Sequence, residues 1–83
     1  MQIPVITHLV ETQSLASLQA AEVALLAGRP PAIDVPGADA AEQLTHVLVA
    51  QRWRHYMQAH GTGIAAARRA FAQRIRTWVG EQR

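Results

Sequence analysis

Residues 39–63 read DAAEQLTHVLVAQRWRHYMQAHGTG, and the distribution of their apolar positions decides the fold. Asp39 followed three residues later by Glu42 is a helix-opening pair, with Asp in the Ser/Thr position of a capping box. Gly61 is the residue type that closes a helix in the left-handed conformation. One long helix is therefore expected from Ala40 to about His60. At about 100° per residue, Leu44, Val47 and Leu48 face one way, while Val49, Trp53, Tyr56 and Met57 cluster roughly opposite. A single partner layer cannot cover both sides. Either the remaining helices wrap this one, or one side meets a second chain.

Outward from this segment the chain supplies the wrapping helices. Thr62 is expected to cap a further helix that runs to about Val79 and stops at Gly80. Ile64, Ala67, Phe71, Ile75 and Trp78 form one stripe on it and read as core, with Arg69, Gln73 and Arg76 opposite. The very short connection makes residues 40–79 an antiparallel helical hairpin. On the N-terminal side, Pro4 suits a first helical turn, and a short helix or turn from Pro4 to Thr12 is expected. Ser14 reads as the N-cap of a helix from Leu15 to Ala27, which Gly28 ends ahead of Pro30 and Pro31. Leu15, Leu18, Leu25 and Leu26 give that helix an inner face with Glu22 in its middle. A carboxylate there needs a partner, for which His55 or an arginine is available, or must lean to solvent. Residues 28–38, GRPPAIDVPGA, are a linker with a short extended piece around Ile33 and Val35. The expectation is an all-α single domain over residues 1–83: a compact bundle of three main helices plus a short N-terminal helix or turn.

Composition bounds the rest. A chain of 83 residues buries only about 60–65% of the surface its unfolded form exposes, so its core is marginal and self-association is one way to enlarge it. There is no cysteine, which excludes disulfides and thiolate metal sites. The longest apolar runs, Val23 to Ala27 and Val47 to Ala50, are too short to span a membrane. The N-terminus lacks the basic and apolar regions of a secretion signal, so a cytoplasmic protein is expected. Every strong base is arginine, and the net charge is +2. Over residues 1–51, five acids against Arg29 give −4; over 52–83, seven arginines against Glu81 give +6. The chain is a charge dipole along its sequence.

The chemistry of enzymes finds little to use here. There is no Cys nucleophile, no G-x-S-x-G, and the GTG at 61–63 is a helix–helix turn without the strand context of a phosphate loop. No enzyme activity and no cofactor are expected. Among His8, His46, His55 and His60, no set reaches three ligands by spacing, and an accessory role with a small-molecule or metal site built on Glu22 and the histidines is a third choice. Arg52, Arg68, Arg69 and Arg76 form a basic patch that could neutralise phosphates, but the arginines point in several directions and the acidic half would repel a polyanion. Nucleic acid is therefore an alternative partner, and another protein or a second copy, with a dimer favoured, is the first.

IPVITHLVE at 3–11, SLASLQAAE at 14–22 followed by Leu25 and Leu26, EQLTHVL at 42–48 and FAQRIR at 71–76 together resemble a family of small uncharacterised bacterial proteins of about this length. The resemblance spans nearly the whole chain. It implies a stand-alone helical unit and brings no catalytic residue with it. The expected function is a non-catalytic interaction module, with Val49, Trp53, Tyr56 and Met57 as the candidate interface.

Overall fold

A computed structural model describes residues 1–81. The chain forms α1 (Ile3–Thr12), α2 (Leu15–Leu26), α3 (Ala40–His60) and α4 (Ile64–Glu81), with no strand among the described residues. None of the described helices is long and apolar enough to cross a membrane.

The local signals act where the sequence places them. Ser14 Oγ accepts the Ser17 N–H at 3.1 Å, and Asp39 Oδ1 accepts the Glu42 N–H at 2.9 Å. Each satisfies an amide that the first helical turn leaves unpaired. Glu42 reaches back one residue further than a capping box requires, taking the Ala38 N–H at 2.9 Å. Gly28 and Gly61 have φ of 74° and 61°, and the residues after them close the helices: Arg29 N–H to Ala24 O at 2.8 Å and Thr62 N–H to Met57 O at 3.2 Å.

The last helix departs from expectation at both ends. It starts at Ile64, so Thr62 belongs to the closure of α3 and Gly63 is the residue before the helix. It also runs through Gly80 to Glu81. Gly80 has no positive φ there, and a glycine without a left-handed turn costs a helix only about 1 kcal/mol.

Everything packs on α3. Its His46, Val47, Ala50, Gln51 and Arg54 side meets α1 and α2, and its Val49 and Trp53 side meets α4. Apart from Leu48, which is exposed, the two-sided apolar pattern thus has cover within the chain, and Ile6, Leu9, Leu18, Val47, Trp53 and Ala67 belong to one cluster. The 28–38 linker is pinned to the bundle: Val35 is buried, and its carbonyl accepts Gln43 Nε2 at 2.8 Å.

Three separate segments are joined by one buried side chain. His46 Nε2 accepts the Gln2 N–H at 2.9 Å, and Nδ1 faces the Pro36 carbonyl at 2.8 Å. An amide N–H can only donate and a carbonyl can only accept, so Nδ1 carries the hydrogen. Arg54 makes a second cross-link, donating from Nη2 to the Val10 carbonyl at 2.6 Å. Val10 lies in the last turn of α1, where carbonyls lack helical partners.

Replacing His46 by alanine removes both partners and leaves a void in the core. His46→Ala should lower the unfolding free energy by about 2–4 kcal/mol, measured by chemical denaturation. The Gln2 amide should lose its protection from hydrogen exchange at the same time. A change under about 0.5 kcal/mol, the scale of an ordinary surface substitution, would mean the histidine does not hold these segments together.

Candidate functional site

The stripe of α4 seats on α3 only along its first half. Ala67 is buried, Ile64 and Phe71 are half-buried, and Phe71 meets Trp53 edge-on with ring centroids 6.0 Å apart. Beyond Phe71 the stripe runs out of core. Ile75 is 42% and Trp78 58% exposed, and Val79 beside them is also exposed. Reading the whole stripe as core is therefore corrected for its last two positions: periodicity fixes which way a side chain points, not whether a neighbour is there.

Between α3 and α4 lies a groove of about 370 Å³. All four aromatic residues of the chain, Trp53, Tyr56, Phe71 and Trp78, line it, together with Val49, Ile75 and the two cations Arg52 and Arg74. Among the described residues no acidic side chain lines it. Tyr56 is steadied by His60 one turn on, with ring centroids 4.2 Å apart. Trp53 forms the floor; it is 1% exposed, and its indole N–H is buried without a hydrogen-bond partner.

The four residues proposed as an interface from sequence divide. Val49 and Trp53 are buried beneath α4, while Tyr56 and Met57 stay half-buried. The exposed part of this surface is carried instead by Ile75 and Trp78, which the stripe identified without their exposure, and by Val79 beside them. The basic residues divide as well. Arg52 stands at the groove with Arg74, a residue outside the expected patch. Arg68, Arg69 and Arg76 are exposed on α4, Arg76 donating to Gln73 Oε1 at 3.0 Å.

The acid and histidine candidates do not assemble into a site. Glu22 Oε1 accepts Gln51 Nε2 at 2.8 Å, so its partner is an amide and not His55, which is exposed. His8 and His60 are exposed too, and His46 is buried in the backbone links described above. Among the described residues, no three His, Asp or Glu side chains are placed to share a metal ion. What the groove offers is apolar and aromatic surface bordered by two cations.

Trp53 is central to both the core and the groove. Trp53→Ala should destabilise the fold by about 3–5 kcal/mol, a large share of the 4–12 kcal/mol or so expected of a chain this size. Trp53→Phe keeps an aromatic floor and removes the unpaired N–H, so it should cost less than half as much in the same denaturation experiment. Equal losses for the two variants would contradict the role given to the ring.

A protein-family model described as a family of unknown function, DUF6952, matches residues 1–79. No curated protein and no solved structure matches the chain. With 79 of its 83 residues covered, the chain belongs to DUF6952.

Proposed function

We propose that this chain is a non-catalytic interaction module of the cytoplasm that associates with a second copy of itself through the exposed second half of the α4 stripe. The observation that carries the reading is the exposure of Ile75 and Trp78 on a stripe whose earlier members are packed. Surface helices normally turn such a stripe inward along their whole length. Tryptophan and arginine are the side chains that most often dominate binding energy at interface centres, and here Trp78 stands in a groove with Arg52 and Arg74.

Magnitudes separate the roles of the two kinds of residue. Covering the exposed part of one Trp78 ring removes on the order of 100 Å² from water and contributes about 2–3 kcal/mol. A solvent-exposed ion pair at the rim contributes about 0–1 kcal/mol. Affinity therefore resides in the apolar residues, and the arginines select orientation and speed encounter.

Sedimentation from low to high micromolar concentration tests the reading. The wild-type chain should associate reversibly. Trp78→Ala, at an exposed position, should leave the stability within about 0.5 kcal/mol and weaken association at least about tenfold. A wild-type chain that stays monomeric throughout would rule out self-association.

A further inference from the structure

The inference concerns the surface that fills the groove, and it rests on the self-association reading above. α2, LASLQAAEVALL, is apolar all round. Its inner face is accounted for: Leu18 and Ala21 are buried, and Glu22, its single charge, is turned to Gln51. Its outer face consists of Ala16, Gln19, Ala20, Val23 and Leu26, continued by the C-cap Ala27, all exposed and none charged. Val23 and Leu26 are 60% and 66% exposed, so the placement of Leu26 on the inner face, expected from sequence, is corrected. A helix that is hydrophobic all round is normally buried all round. This one has an unclothed side.

We propose that the uncharged outer face of α2 in one copy of this chain seats in the α3–α4 groove of a second copy, with Val23 and Leu26 against Ile75 and Trp78. Three considerations select this pairing over its rivals. The first is charge. Pairing α4 with α4 through the Ile75–Trp78 stripe would set the groove cations Arg52 and Arg74 against their own duplicates. The outer face of α2 brings no cation to Arg52 and Arg74, which have no carboxylate partner within the described residues, and it belongs to the −4 part of the chain whereas the groove belongs to the +6 part. The second is area. A 12-residue helix is about 18 Å long, so an α2–α2 seam alone buries on the order of 500 Å², well under the roughly 1,000 Å² that a specific interface should clear. Two equivalent α2–groove contacts in a two-fold dimer reach about twice the single seam. The third is shape. Alanines at 16, 20 and 27 let the α2 backbone approach closely, and a groove of about 370 Å³ takes the two larger side chains between them.

Mixing variants tests the contact directly, with sedimentation of the full chain as the readout. Leu26→Arg puts a cation against the arginine-bordered groove. Trp78→Asp puts an acid in the groove itself. Both positions are exposed, and a thermal melt confirms that each variant folds; the milder pair Val23→Gln with Leu26→Gln replaces Leu26→Arg should that variant fail to fold. Each variant alone should associate at least about tenfold more weakly than wild type. An equimolar mixture should recover to within about threefold of wild type, because one pair of surfaces is intact and the other is oppositely charged. Recovery on mixing is the result expected. Wild-type association by Leu26→Arg alone would overturn the α2 contact and leave self-association standing, with α4 meeting α4. Loss in both variants without recovery on mixing would also overturn it, since the two surfaces would then not meet each other. A monomeric wild type would end both readings together.

Discussion

Each of the other helices depends on the same 21 residues of α3. A chain of this length without cysteines cannot build a thick core, so one helix has to serve as the packing surface for the rest. That requirement explains why α3 is apolar on two sides. His46, Val47 and Ala50 receive α1 and α2, and Val49 and Trp53 receive α4. Polar side chains between these surfaces are not waste. Gln51 satisfies the one carboxylate of α2, and Arg54 satisfies a carbonyl left open by the end of α1. Part-buried polar pairs of this kind stabilise little on balance, but leaving either partner alone would cost more than the pair contributes. They therefore fix the register in which α1 and α2 lie on α3.

What could be read from the sequence was what is local. Ser14, Asp39, Gly28 and Gly61 determine where helices start and stop through bonds to residues three to five positions away, and they behave as those rules require. The side chains that join distant segments carry no such signal. His46 bonds to residues 44 positions before it and 10 before it, and nothing in the spacing of the histidines distinguishes it from the exposed His55. The groove was half legible. Its lining was present in the patterns of residues 44–57 and 64–78, but those patterns describe directions around an axis. That Trp53 is covered and Trp78 is largely exposed depends on how closely the second half of α4 lies against its neighbours, which is a tertiary fact. Leu26 was misplaced for a related reason. In a helix with apolar residues on every side, periodicity does not identify the inner one.

The two unclothed surfaces also differ in what they tolerate. Exposed apolar area favours association with almost any other apolar area, which makes it a hazard as well as a binding site. Around Ile75 and Trp78 the arginines restrict the choice. A second copy of the same helix, or any cationic surface, meets like charge at close range, and such juxtapositions cost several kcal/mol. The α2 face that bears Val23 and Leu26 carries no charge of its own, so it offers little to reject a wrong partner. In the proposed pairing, selectivity is therefore confined to one side of the contact. There the groove would discriminate, through Arg52 and Arg74, and the α2 face would supply apolar area. An arrangement of this kind needs few residues, which suits a chain that has already committed most of its large side chains to covering α3.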